Sequence, residues 1–588
     1  MFFRVNEKGG LRMKKKGLKK LIVTALIGAM TITQFGAIPC KKVQAATIAI
    51  NAKNFPDQAL RNRISNYDTN KDGKLSAAEN AAINQLYLSD SGMKNLKGIE
   101  KLTNLNWITV YGSNCTSMDF SKNTKLAYIN VSNNKKVKTV KFPTKALTTV
   151  SLYDNKVLKT SNLSSCKKLE RLSVENCSKL GNLKVASYSK LKQLSLRGTC
   201  VTNVDVSKNT KLEYLRCGGK ISNLKTSTKN KKLNTVEVYG DSKLKTLNLS
   251  KLNNLSSINV TNAKIPMKNI KVKKASKIKS MTYAGGPTTA VDFSKYKELT
   301  NAIVGGKKVT SVKVSSNKKL QYLSVNSTKV KTINTSKNTR LRSLYANENN
   351  NITAISVSGL SKLESLSVYN SAALKSINFK GNNKLISLSL SGNKKLSSVD
   401  VSGLTKLTNL YLSKNALTKL DVSKNKNLTS LYADYNKITA FSLDGNNNLR
   451  YLSLYNNKLQ TVTLTNLSQL YQVNLRGNTI ATINMDNLPL LDSLRIKNNN
   501  KPVAINLTNM KHALRVYCTR AATITLDEGE YVWENMTSGE EYATETGNVF
   551  EAAKYVSADE TTSQLFVLNI PDSNHYYEIE VDDNMSEY

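Results

Sequence analysis

Residues 407–425 read Leu-Thr-Asn-Leu-Tyr-Leu-Ser-Lys-Asn-Ala-Leu-Thr-Lys-Leu-Asp-Val-Ser-Lys-Asn, and the chain repeats this sentence along most of its length. Its first nine residues put Leu407, Leu410, Leu412 and Asn415 in the marked slots of L-x-x-L-x-L-x-x-N. With the first Leu as position 1, the frame returns at Leu428, Leu449, Leu470 and Leu491. Upstream it returns at Leu385, Leu363, Leu341, Leu320, Leu299, Ile278, Leu255, Leu233, Leu212, Leu191, Leu169, Leu147, Leu126, Leu105 and Ile83, giving 20 registers spaced by 21 to 23 residues. One such unit cannot bury its apolar edge alone, whereas stacked units share a continuous core, so the period specifies a solenoid. Positions 1, 4 and 6 are apolar and 3, 5 and 7 mostly are not, the alternation of a half-buried strand. A second apolar set, Leu417, Leu420 and Val422 in this unit, precedes a polar Ser-Lys-Asn turn. No part of 21 residues has room for a full helix, so both long sides are expected to be extended.

The expected fold class is mainly β: a leucine-rich-repeat solenoid with a small helical N-terminal cap and a small β cap or domain at the C-terminus. Asn at position 9, as in Asn134, Asn155, Asn349, Asn393, Asn415, Asn436, Asn457, Asn478 and Asn499, is expected to stack and satisfy backbone groups in the turn. The phrases Asp205-Val-Ser-Lys-Asn-Thr-Lys-Leu-Glu-Tyr-Leu-Arg-Cys217 and Asp421-Val-Ser-Lys-Asn-Lys-Asn-Leu-Thr-Ser-Leu resemble the repeats of internalin-J-type surface proteins of Gram-positive bacteria. The resemblance covers about residues 83–500 and implies an adhesin-like role. Two features depart from that pattern: the position-6 cysteine ladder is reduced to Cys217, and no LPxTG-like motif precedes Tyr588.

Four segments are expected. Residues 1–46 read as a secretory signal peptide: Lys14-Lys15-Lys16 and Lys19-Lys20 precede an apolar run from Leu21, and Ala45 and Ala46 supply small residues for cleavage. Translation is expected to start at Met13, because Glu7-Lys8-Gly9-Gly10 reads as a translated ribosome-binding sequence. The apolar run is shorter than the ~20 residues a membrane span requires. Residues 47–82 form the cap, 83–520 the solenoid and 521–588 an acidic β cap or domain. The last boundary follows charge: residues 46–520 hold 76 Lys and Arg against 24 Asp and Glu, whereas 521–588 hold one Lys against 16 acids.

The cap contains Asp68-Thr-Asn70-Lys-Asp72-Gly73-Lys74-Leu-Ser76-Ala-Ala-Glu79, which fits the calcium-loop pattern D-x-[DN]-x-[DN]-G-x5-E. Asp68, Asn70 and Asp72 would offer side-chain oxygens, Gly73 the sharp turn, and Lys74 its carbonyl. Ser76 would act through a water and Glu79 would close the ring, so Ca²⁺ is expected as a structural ion. A dockerin carries such a loop twice and usually ends it with Asp; one copy ending in Glu79 favours a calcium-stabilised cap over that alternative. The helix before the loop is expected to start around Asn54 and Pro56, with Leu60, Ile64 and Tyr67 on its apolar face.

Catalytic chemistry has little to work with, since the two histidines, His512 and His575, lie in no recognised catalytic pattern. Of the six cysteines after the signal peptide, Cys177 and Cys217 read as small core residues, and a Cys177–Cys200 bridge between neighbouring rungs stays open. Gly285-Gly286 and Gly305-Gly306 are expected to be loose turns. The informative residues point outward from the first strand, at positions 3, 5 and 7. Of these 60 sites thirteen are Tyr, Tyr87 among them, and Lys497 is the clear Lys although residues 46–520 hold 64. The expected ligand-binding face comprises Trp107, Tyr111, Tyr128, Tyr153, Tyr214, Tyr239, Tyr322, Tyr345, Tyr369, Tyr411, Tyr432, Tyr451 and Tyr455. Tyr, Ser and Asn are the residues of antibody binding loops, and β propensity explains the Tyr but not the missing Lys. A secreted or cell-surface monomer that binds an extracellular protein or glycan is the expected function, with an acidic polymer as a further partner. Nucleic acid is not expected, because the tyrosines are not interleaved with the basic runs. A carbohydrate-active enzyme and a structural envelope protein binding polyanions through Lys-rich flanks are the alternatives.

Overall fold

Every register becomes one turn of a solenoid in the structure, a computed structural model that describes residues 47–588 without Asn182, Asp241 and the segments 498–502, 509, 511–513, 527–529, 536–539, 547–548, 552–563, 570–575 and 582–588. The expected signal peptide lies outside the described residues. Among those residues no helix is long and apolar enough to cross a membrane.

The first side of each rung contributes one strand to a single long parallel sheet running from Gln85–Ser89 to Leu514–Cys518. Equivalent positions pair throughout, as in Leu388 with Leu410, Leu410 with Leu431 and Leu431 with Leu452. The period-2 pattern dictates this register, because a slip by one residue would turn every Leu to solvent. Leu407, Leu410, Leu412, Leu417, Leu420 and Val422 are all buried and join one continuous core. The second side is extended but shorter, with strands such as Asn203–Asp205 and Lys419–Asp421, and in some rungs a 3-10 turn such as Leu163–Ser165 follows it. Asp or Asn begins the turn that follows: the Ser423 N–H donates to Asp421 Oδ1 at 2.9 Å, and Ser207 and Ser402 repeat the arrangement on Asp205 and Asp400.

Two columns of Asn lock the turns. At position 9, Asn155 Nδ2 donates to Val131 O at 2.7 Å and Asn478 Nδ2 to Leu454 O at 3.0 Å, each reaching the preceding rung. Asn499 lies outside the described residues. The second column ends the Ser-Lys-Asn turn and was not anticipated: Asn425 Nδ2 donates to Val401 O and Leu404 O, both at 2.9 Å, and Asn209, Asn317 and Asn382 do likewise one rung back.

The middle glycines are tight rather than loose. Gly285 sits at φ +65°, where a Cβ would lie 1.8 Å from Asn262 Oδ1, and a Cβ on Gly286 would lie 2.3 Å from the Tyr283 hydroxyl. Tyr283 fills the core there and donates to Ile265 O at 3.0 Å, so Gly286 makes room for an oversized core residue and Gly285 for Asn262.

The cap covers the first strand. Helix α1 (Gln58–Ile64) is capped by Asp57 rather than by Asn54 or Pro56, since Asp57 Oδ1 accepts from Leu60 N at 3.1 Å. Asp57 Oδ2 also accepts from Lys94 N at 2.7 Å and Asn95 N at 3.1 Å, which ties the cap to the first rung. Arg63 Nε donates to Tyr87 O at 3.0 Å and the Tyr67 hydroxyl to Gln85 O at 3.3 Å, occupying carbonyls on the outer edge of that strand. At the other end the second-side sheet continues through Thr523–Thr525 to Val549–Glu551, and Leu514–Cys518 pairs in parallel with Tyr576–Val581. Gln564–Asn569, Glu530–Asn535 and Glu540–Thr546 then extend the sheet antiparallel. Among the described residues Cys177 and Cys200 are both unbridged thiols, so the bridge left open by the sequence is not formed.

Candidate functional site

The strand face is built by rung spacing. Strands ~4.8 Å apart force side chains at equivalent positions to lie against one another. Trp107 thus stacks on Tyr128 with centroids 5.3 Å apart, and Tyr411 on Tyr432 at 5.5 Å, both with 13° between planes. Tyr322 and Tyr345 are tilted at 5.5 Å. Where Ser lies between aromatic rungs, as at Ser132 between Tyr111 and Tyr153, the rings stand apart and remain exposed, 43% and 46%. The Tyr369 hydroxyl donates to Glu348 Oε1 at 3.5 Å.

The thirteen residues therefore share one sheet face but fall into groups. Trp107, Tyr111, Tyr128 and Tyr153 lie near the cap, Tyr214 and Tyr239 further on, then Tyr322, Tyr345 and Tyr369, and last Tyr411, Tyr432, Tyr451 and Tyr455. The rungs between Tyr239 and Tyr322 carry residues such as Thr261, Ala284 and Gly305 at these positions.

The last group is the densest, and two further tyrosines join it. Tyr435 packs edge-on against Tyr455 with centroids 4.9 Å apart, and Tyr471 against Tyr451 at 6.2 Å. Tyr435 occupies position 8, which is left-handed in nearly every repeat and elsewhere mostly held by Asn or Gly, as in Asn133, Asn370, Gly392 and Asn456. Asp434 fastens the same rungs, accepting from the Ser453 hydroxyl, from Tyr455 N at 3.0 Å and from Ser413 Oγ at 3.3 Å. Arg476 lies over the Tyr455 ring at 5.0 Å. Between Tyr432, Tyr451, Asn474 and Arg495 the surface dips into a depression of about 180 Å³. Burial, with the Tyr411 phenol beside it, pushes the Tyr432 phenol up, so that at neutral pH it is a hydroxyl donor.

A charged cluster around Tyr214 and Tyr239 was missed in the sequence. Arg216 Nε pairs with Glu237 Oε2 at 2.9 Å and its Nη1 lies 3.6 Å from Glu175 Oε1. The Tyr239 hydroxyl donates to Glu237 Oε2 at 2.9 Å, and Arg197 and Arg216 lie over its ring at 5.2 and 5.4 Å. The run of charged residues Glu175, Arg197, Arg216 and Glu237 on four successive rungs was the available signal. Lys avoids the face, but Arg, with its planar fork and affinity for ring faces, does not.

In the calcium-type loop, Asp68 accepts from Asp72 N at 3.2 Å and Gly73 N at 2.8 Å, Asn70 Oδ1 from Asp72 N at 3.2 Å, and Asp72 Oδ1 from Lys74 N at 2.8 Å. Helix α2 (Ala77–Ala82) starts at Ser76 with a capping box to Glu79. Glu79 turns back over the loop: Oε1 accepts from Thr69 N at 2.7 Å and Thr69 Oγ1 at 2.6 Å, Oε2 from Ser76 N at 2.9 Å. Those bonds, the Thr69 hydroxyl first, hold its carboxyl at about 2. Among the described residues no three His, Cys, Asp or Glu converge as a metal cluster. Asp68, Asp72 and Glu79, with the Asn70 amide, the Ser76 hydroxyl and the Lys74 carbonyl, are oxygen donors of the kind a hard cation takes, and here the three carboxylates accept from groups of the loop itself. Both histidines lie outside the described residues.

No family model matches the chain. Nor does any curated protein match it. Among solved structures, the functional domain of InlJ from Listeria monocytogenes, which includes a cysteine ladder, is 20% identical over 92% of this chain and 99% of its own, with a TM-score of 0.41. A leucine-rich-repeat protein of Leptospira interrogans is 21% identical over 62% of this chain and 86% of its own, TM-score 0.39. The internalin InlF of Listeria monocytogenes is 17% identical over 74% of this chain and 98% of its own, TM-score 0.29.

Proposed function

We propose that this chain is a secreted or cell-surface recognition protein that binds an extracellular protein through the strand face, centred on Tyr411, Tyr432, Tyr435, Tyr451 and Tyr455. The observation that carries this reading is Tyr435. A bulky residue in left-handed backbone is unfavourable by about 1–3 kcal/mol, and such outliers cluster where function retains them. Here the strained residue presents a ring, 37% exposed, to the densest aromatic patch.

The stacking favours a protein over a glycan. Tyr411 and Tyr432 cover each other's faces, so edges and hydroxyls point outward, whereas a sugar seeks an open ring face. Rigid aromatics with Arg476 and Arg495 beside them match the Tyr- and Arg-rich make-up of protein hot spots. Within this proposal the loop of residues 68–79 binds Ca²⁺ for stability, and the leader of residues 1–46 directs export.

The test is a protein and glycan array probed with the purified chain, repeated with Tyr435→Ala and Tyr455→Ala. Binding to a protein that falls at least tenfold in both variants is expected. Binding confined to glycans, or hydrolysis of a polysaccharide by the purified chain, overturns the reading.

A further inference from the structure

A second surface lies on the turn that leads into the strand face. The residue just before position 1 is exposed in most registers and follows the same edge, one rung after another. Through four consecutive rungs it is Arg340, Lys362, Lys384 and Lys406, all exposed and none in an ion pair among the described residues. Lys319, one rung upstream, is matched by Glu298 at 2.7 Å, so this run begins at Arg340; an earlier run, Lys168, Lys190, Lys211 and Lys232, has no groove of that size beside it among the described residues. At ~4.8 Å per rung the four cations span about 14 Å in a straight line. The acid nearest in the repeat frame, Glu364 at position 2, is paired with Arg342.

Downstream of Lys406 the same column turns neutral at Asn427, Asn448 and Gln469, and beside it runs an open groove of about 780 Å³, lined also by Ile386, Thr429 and Arg450. Several of its neutral donors bond the backbone. Asn427 Nδ2 donates to Thr405 O at 2.8 Å, Asn448 Nδ2 to Lys426 O at 3.0 Å, and Thr429 Oγ1 to Thr408 O at 3.1 Å. The Asn427 and Asn448 amide oxygens can still accept, Lys406 and Arg450 add cations, and Ile386, 43% exposed, is an apolar spot. Side-chain amides and an apolar spot match the hydroxyls and C–H faces of sugars, and the cation column matches a regular row of anions.

We propose that this edge binds a linear polyuronate, a polysaccharide with one carboxylate per sugar residue, whose carboxylates lie along Arg340, Lys362, Lys384 and Lys406 and whose hydroxyls donate into the groove. A polyphosphate also satisfies the column but has no hydroxyls for the groove. The edge is separate from the tyrosine patch, so the inference does not rest on the recognition reading above.

The experiment measures binding of polygalacturonate to the purified chain at 0.15 M salt, where unmatched surface charges are screened beyond ~8 Å. The quadruple variant R340Q/K362Q/K384Q/K406Q is expected to bind at least tenfold more weakly. The control K208Q/K251Q/K337Q/K424Q, with the same loss of charge at exposed sites elsewhere, is expected to lose less than threefold. Polyphosphate of matched charge is expected to bind the wild-type chain at least tenfold more weakly than polygalacturonate. Absent binding by the wild-type chain, equal losses in the two variants, or polyphosphate binding as tightly as the uronate each overturns the proposal. Tyr435→Ala is expected to leave uronate binding unchanged.

Discussion

Tyr435 holds a left-handed backbone, φ 52°, while its ring packs edge-on against Tyr455 with centroids 4.9 Å apart. Stability and recognition are opposed at this residue. Tyr435→Asn places a residue tolerant of that backbone there and is expected to raise the free energy of unfolding by about 1 kcal/mol. It also removes an exposed ring from the patch, so affinity for a protein ligand is expected to drop about tenfold. Chemical denaturation and a binding titration on the same variant check the pair of effects. A variant both less stable and equally tight would contradict the assignment.

Asn425 supports the rod from inside. Its amide donates to Val401 O and Leu404 O from a fully buried position. Asn425→Ala is expected to destabilise by about 2 kcal/mol. The isosteric Asn425→Asp is expected to be worse, by about 3 kcal/mol or more, because a buried carboxylate would face two carbonyl oxygens. Asn447→Ala, exposed in the neighbouring turn, is expected to change stability by less than about 0.5 kcal/mol. Urea titrations of the three variants check the ranking.

Calcium is expected to act on the cap. Extracellular loops of this type bind with dissociation constants of roughly 10⁻⁴ to 10⁻³ M. At tenfold excess over that constant, linkage stabilises the fold by RT ln 11, about 1.4 kcal/mol. Asp68→Ala with Glu79→Ala is expected to abolish the calcium-dependent rise in Tm and to leave binding at Tyr411, Tyr432, Tyr451 and Tyr455 unchanged. Calorimetry with and without chelator reads the first, and the binding titration reads the second. Loss of binding in the folded double variant would make calcium part of the recognition site.

Acid is expected to loosen the cap through Glu79. Its carboxyl is lowered from 4.5 to about 2 by the Thr69 and Ser76 bonds. A depressed folded-state value means that its contribution is complete above about pH 4.5 and is lost as pH falls toward 2. In calcium-free buffer, Glu79→Gln is expected to flatten the dependence of Tm on pH within that window and to leave it unchanged between pH 6 and 8. An identical slope in both proteins between pH 4.5 and 2 would contradict this.

The rungs were legible because Leu407, Leu410 and Leu412 announce one strand and their recurrence announces the next. The second Asn column was not, because Asn425 stands in a Ser-Lys-Asn run that reads as solvated turn, and only the closed rung puts Val401 and Leu404 within its reach. The Arg216 cluster joins residues about twenty and forty apart, and their contact exists only after the strands are aligned. Tyr435 escaped for a different reason: the outward face was taken from positions 3, 5 and 7, and nothing in the composition of position 8 states the sign of φ. Asp57 was hidden by the better-known start signals Asn54 and Pro56, and its long-range bonds to Lys94 and Asn95 explain why the helix begins at Gln58.

The bonds from Arg63 to Tyr87 and from Tyr67 to Gln85 have a consequence for assembly. A parallel sheet with an open first strand is a template on which another copy's last strand could add, and such a chain would polymerise head to tail. With those carbonyls occupied and α1 lying across the edge, growth in that direction is terminated within the molecule. The cap is therefore an end-stop that keeps one fibre-like architecture finite.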